Sequence, residues 1–196
     1  MMLVVAKDPH APAPGGFSAE TRRRRTEAAP VEFTIGDITR EATDAIVNPV
    51  GPGLVDLAIR RAAGAELVDA FHLARTALSG GRLARGQAVV TPGFGLAAGH
   101  VIHCCPPVYA DDPEQARRDL ATCHREALRL ARLHGFTSVA FPAIGTGVYR
   151  YPVAEAARIA VDAVTAELRA HATPMLVRFV LWSPAVLAAY ASASNR

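Results

Sequence analysis

Apolar and polar positions along the chain follow two different periods. Val31-Glu32-Phe33-Thr34-Ile35 alternates as a strand does and runs into Gly36-Asp37. Short apolar runs follow: Asp44-Ala45-Ile46-Val47-Asn48, Gln87-Ala88-Val89-Val90-Thr91, His100-Val101-Ile102-His103-Cys104, Val139 to Ala143, and Met175 to Leu181. Each is bounded by glycine, proline or polar residues and predicts a strand. Between them the period lengthens to that of a helix. Residues 113–134 place apolar side chains at 116, 120, 123, 127, 128 and 131, with Gly135 suited to the position just past a helix end. Helices are also predicted over 56–78 with a break at Gly64, over 153–170, and over about 184–191. Strands alternating with helices predict a mostly parallel sheet covered on both faces.

In such folds ligands sit at the carboxyl ends of the strands. The segments there are Gly36-Asp37-Ile38-Thr39, Asn48-Pro49-Val50-Gly51-Pro52-Gly53, Gly145-Thr146-Gly147 and Trp182-Ser183. Glycine lets backbone N–H groups approach a ligand without a Cβ in the way, and a following helix adds positive partial charge. Two such loops, 48–56 and 144–149, can grip the two halves of a pyrophosphate. The plain reading of either glycine pair is a tight turn. Asp37 reads either as the cap of a short turn or as an acceptor for an exocyclic amine. Trp182, the single tryptophan, either stacks on a base or packs at the core or rim. Asp56 either caps the following helix or holds a water. His103, inside a strand, reads as a satisfied core histidine ahead of a catalytic base, and Cys104-Cys105 as packing ahead of a nucleophile.

Composition narrows the class. The 196 residues are 51% hydrophobic, enough for one domain with a core that needs no staple. Charged residues make up 20% and the net charge is +3, which permits an anionic ligand without demanding nucleic acid. Three cysteines, two of them adjacent, argue against a disulfide framework, and no spacing resembles a zinc site. Neither a metal nor a cofactor is called for. With no signal peptide or membrane-length apolar run, a cytoplasmic location is the expectation. Residues 1–30 differ: prolines and the run Arg22-Arg23-Arg24-Arg25 suggest a partly flexible arm ahead of a domain over 31–196. Those arginines are either a solvated patch or an electrostatic clamp for phosphates or nucleic acid.

The strand-end motifs carry a resemblance. Gly36-Asp37-Ile38-Thr39, Asp44-Ala45-Ile46-Val47-Asn48, Val55-Asp56 with Ala62-Ala63-Gly64, Val101-Ile102-His103, and Phe141-Pro142-Ala143-Ile144-Gly145-Thr146-Gly147-Val148-Tyr149 with Tyr151-Pro152 are similar in order and spacing to the macrodomain family. The resemblance spans residues 31–190. It implies a three-layer α/β/α sandwich with a mixed, mostly parallel sheet of about six strands, and it names the ligand as ADP-ribose. It further implies that Asp37 binds the adenine amine, that Ile38 lines the adenine pocket, and that Trp182 lies against the base. Ile144, Gly145, Thr146, Gly147, Val148 and Tyr149 are then expected to wrap the phosphates and distal ribose. Gly53 and Val55 are expected to contribute backbone groups, and Asn48 and Asp56 to serve catalysis.

The first loop departs from the family's pattern. The hydrolytic branch has Asn-Ala-Ala-Asn, a longer stretch, a run of glycines and Val-Asp-Gly. Here only seven residues separate Asn48 from Asp56, the second Asn is missing, and Leu54 stands where glycine is usual. Pro49 and Pro52 donate no N–H and fix φ. The expected function is ADP-ribose binding with hydrolysis of ADP-ribosyl esters: mono-ADP-ribose on acidic side chains of proteins, or O-acetyl-ADP-ribose. The alternatives are a reader that binds without turnover, and a nucleic-acid or poly(ADP-ribose) binder using the basic arm.

Overall fold

The structure, a computed structural model, describes residues 31–171 and 175–195; the arm with Arg22–Arg25 and Pro174 lie outside the described residues. Six strands form one sheet: β1 (Val31–Ile35), β2 (Ala45–Pro49), β3 (Ala88–Pro92), β4 (His100–Cys104), β5 (Ser138–Phe141) and β6 (Leu176–Leu181). Their order is β1-β6-β5-β2-β4-β3, with only the β3–β4 pair antiparallel. The helices are α1 (Leu54–Ala63), α2 (Ala65–Thr76), α3 (Pro113–Leu133), α4 (Val153–Ala170) and α5 (Pro184–Ser194). None is long and apolar enough to cross a membrane.

The two faces of the sheet are read directly from strand parity. Ala45, Val47, Ile102, Cys104, Val139, Phe141, Val177 and Phe179 face a core filled by α3, α4 and α5. Neighbours of the opposite parity, Ile46, Val101, Ala140 and Val180, face a smaller core with Ile59, Ala63 and Leu67 of α1 and α2. Continuing that parity sends Asn48 and His103 to the α1/α2 face, and the β2–β4 register makes them direct neighbours.

Helix ends follow their sequence signals. Gly64, at φ +97°, breaks the long predicted helix into α1 and α2. The last turn of α3 closes through Gly135, at φ +73°, with Phe136 N–H donating to Ala131 O at 2.8 Å. One expectation fails. The helix after the first loop starts at Leu54 with Gly53 as its cap, so Asp56 sits within the first turn and does not cap it. Pro142 ends β5 at Phe141, two residues before the predicted boundary at Ala143.

Candidate active site

The expected ligand segments meet along the carboxyl edge of the parallel strands. From β1 to β2 that edge crosses three strand spacings, or about 14 Å.

One end is exposed. Gly36 N–H donates to Leu181 O at 3.1 Å, so Asp37 and Trp182 leave the sheet side by side. Asp37 caps the short 3-10 turn Ile38–Arg40, its Oδ1 accepting from the Thr39 hydroxyl at 2.7 Å and the Thr39 N–H at 3.0 Å. Those bonds, the hydroxyl's foremost, hold its carboxyl below the usual range. Among the described residues Oδ2 has only Arg40, at 3.8 Å, and keeps room for a further donor. The cap and acceptor readings are therefore compatible. Trp182 is 66% exposed, which puts it on the rim and not in the core. Ile38 is buried beneath, packed with Ile46 and Val180.

In the middle two glycine loops touch. Gly145 takes φ +82°, a conformation that disfavours any side chain. The Thr146 hydroxyl donates to Ala143 O at 2.8 Å and latches the turn, so its visible role is to shape the loop. A Cβ on Gly147 would meet open space. Ile144 is buried in the larger core. Among the described residues, no acceptor takes the N–H of Gly145, Gly147, Val148 or Tyr149. Across from them, the first-turn N–H groups of Leu54, Val55 and Asp56 are also untaken within the described residues. The Tyr149 hydroxyl occupies the place of a Cβ on Gly51, which lies at φ +153°. It donates to Val50 O at 3.4 Å, and Val148 Cγ2 stands 3.8 Å from the matching point at Gly53. Burial pushes the Tyr149 phenol up, and the nearby Asp56 carboxylate adds to this. Val55 packs against the smaller core. Leu54, in glycine's usual place, is 83% exposed and is the first residue of α1.

The other end is buried. Asp56 is 5% exposed; its Oδ1 accepts from Asn48 Nδ2 at 2.7 Å and its Oδ2 pairs with Arg60 Nε at 2.7 Å. Each carboxylate oxygen has two lone-pair sites, so both retain capacity for a water or hydroxyl. Asn48 Nδ2 also lies 3.2 Å from His103 Nδ1, and His103 Nε2 lies 2.9 Å from Thr91 Oγ1. Among the described residues Asn48 Oδ1 is buried with no partner, an acceptor that demands a donor. His103 is buried against Phe71, ring centroids 4.6 Å apart, and burial pushes it down to about 3, with Arg60 adding to the shift. It is therefore neutral at physiological pH, as a satisfied core histidine should be.

Sequence reading missed Arg60 and Thr91. Arg60 had a signal, since Asp and Arg four apart on a helix are neighbours. Thr91 had none, because its partner lies on another strand. Cys104 and Cys123 are buried, Cys105 is half-buried, and all three thiols are free.

A buried acid–amide pair beside two loops of unpaired N–H groups is a site built for a phosphate-bearing ligand. The Macro domain family model matches residues 46–160, and the chain belongs to that family. The O-acetyl-ADP-ribose deacetylase of Salmonella newport is 44% identical over 161 residues, covering 80% of this chain and 89% of the deacetylase. A macro domain-containing protein of Xanthomonas campestris is 38% identical over 165 residues, covering 82% and 92%. Among solved structures, the Oceanobacillus iheyensis macrodomain with ADP superposes with a TM-score of 0.81 at 36% identity, covering 86% of this chain and 92% of that one.

Proposed function

We propose that this macrodomain binds ADP-ribose and hydrolyses O-acetyl-ADP-ribose, with the same ester chemistry available for ADP-ribose on acidic side chains. Asp37 and Trp182 take the adenine, the N–H groups of both loops take the pyrophosphate, and the distal ribose reaches Asn48 and Asp56. The observation that carries turnover is the buried Asp56 carboxylate, held by Asn48 and Arg60 yet with lone pairs to spare.

In this reading Asn48 Oδ1 accepts a ribose hydroxyl and Asp56 orients a water. Asp56 takes one proton as the water oxygen bonds to the acetyl carbonyl carbon. The bond from that carbon to the ribose oxygen then breaks, the ribose oxygen takes that proton from Asp56, and acetic acid leaves, losing its remaining proton to solvent as acetate. Positioning and a general base each contribute several kcal/mol to such a step. The short first loop, with Pro49 and Pro52 donating nothing, favours the second reading, a binder without turnover.

The experiment is acetate release from O-acetyl-ADP-ribose by wild type and Asp56→Ala, with ADP-ribose affinity measured on both. Turnover is expected to fall by about 100-fold or more in the variant, with affinity largely kept. Binding without release in wild type selects the reader.

A further inference from the structure

Thr91, His103, Asn48 and Asp56 form one hydrogen-bonded chain across three strands and a helix, and one arrangement of hydrogens satisfies it. Arg60 on Oδ2 identifies Asp56 as an acceptor, so the group 2.7 Å from Oδ1 must be the Asn48 NH2. The same NH2 faces His103 Nδ1 at 3.2 Å, so Nδ1 carries no hydrogen. The proton of the neutral ring is then on Nε2, directed at Thr91 Oγ1 2.9 Å away. Thr91 can accept it because its own hydrogen goes to Pro92 O at 3.1 Å. The other tautomer would set Nδ1–H against the amide NH2. Relief would require the amide to turn, bringing Asn48 Oδ1 against Asp56 Oδ1.

We infer that Thr91 and His103 are positioning residues: by fixing the Nε2–H tautomer they keep the Asn48 NH2 on Asp56 and its carbonyl oxygen available to substrate. Three features support this. Asn48 and His103 are direct cross-strand partners, Phe71 stacks on the imidazole, and Thr91, Asn48 and His103 are all buried. Burial keeps the ring neutral, so Nδ1 stays an acceptor across the working pH range. The kinetic consequence rests on the hydrolase reading above; the tautomer does not.

The test uses the 15N-labelled chain, reading the His103 imidazole nitrogens by NMR, alongside kcat, KM and ADP-ribose affinity. Wild type is expected to show Nε2–H. His103→Phe keeps the stacked ring and removes the acceptor; kcat should drop about 100-fold, as for a mispositioned catalytic group, with KM little changed. His103→Asn puts an amide oxygen near the place of Nδ1 and should recover most of that loss. Thr91→Val, nearly isosteric, covers the case in which His103→Phe does not fold; it should populate Nδ1–H and lower kcat about tenfold, the worth of one hydrogen bond. Nδ1–H in wild type, undiminished kcat in folded His103→Phe, or an unchanged tautomer in Thr91→Val would each overturn the inference. Nε2–H with no wild-type turnover would support the tautomer assignment and remove the hydrolase reading.

Discussion

The two ends of the binding edge are built by opposite means. At the exposed end Asp37 is held by Thr39, two residues away, and Trp182 stands in solvent at the rim. At the buried end Asn48 is held by Asp56 across a loop and by His103 fifty-five residues away, with a further partner on β3. An exposed group keeps its water until a ligand displaces it, so its loss should cost affinity and little else. A buried polar chain is satisfied only as a whole, so damage there should reach stability and chemistry together.

Acid should separate the two ends most sharply. His103 at the buried end, and His124 on α3 stacked against Phe141 in the larger core, are buried and pushed down to about 3 and about 4, whereas in the unfolded chain each titrates near 6.5. The unfolded state therefore binds more protons below pH 6.5, and folded stability is present above that pH and is lost as pH falls toward 3–4. The slope approaches about 1.4 kcal/mol per pH unit for each histidine. Urea unfolding between pH 7 and 4.5 should show it, and His103→Asn should remove one histidine's share. An unchanged slope in His103→Asn would mean that His103 is not sealed from water.

Gly51→Ala comes next. The new methyl would collide with the Tyr149 hydroxyl at a φ that alanine resists, so the Tyr149 side chain must leave its place over the first loop. A loss of about 3 kcal/mol in stability is expected, with ADP-ribose affinity falling as well. Retained stability would mean that the loops do not depend on their contact.

At the exposed end, Asp37→Ala should weaken ADP-ribose binding by about 1–3 kcal/mol, read by calorimetry, with kcat at saturation unchanged. Trp182→Ala should cost about 1 kcal/mol of affinity, the low end for a stacked base, and leave the melting temperature in place. If either substitution lowered kcat as Asp56→Ala does, the separation of the two ends would collapse.

The same contrast explains what was legible beforehand. Strand parity, glycine breaks and helix spacing are local, and they gave six strands and the covering helices within a few residues. The turn at Asp37 was visible because its bonds span two residues. Asn48 and Asp56 could be picked out singly, but their bond depends on where α1 begins. Pro52-Gly53 shifted that start to Leu54 and removed Asp56 from the cap. The Thr91–His103 link depends on β3–β4 register, which no local period encodes.

One feature of the topology also sets a timetable for synthesis. Among the described residues β1 pairs only with β6, and Glu32 on β1 is bonded to Arg178 on β6, 146 residues later. Domains fold as the chain emerges from the ribosome. The strands carrying Asn48 and His103 can therefore meet while the last third of the chain is still being made. The Asp37–Trp182 end must wait until residue 181 has left the exit tunnel. A nascent chain stalled before that point lacks the strand that lies beside Asp37 and, with it, Val177, Phe179 and Leu181 of the larger core.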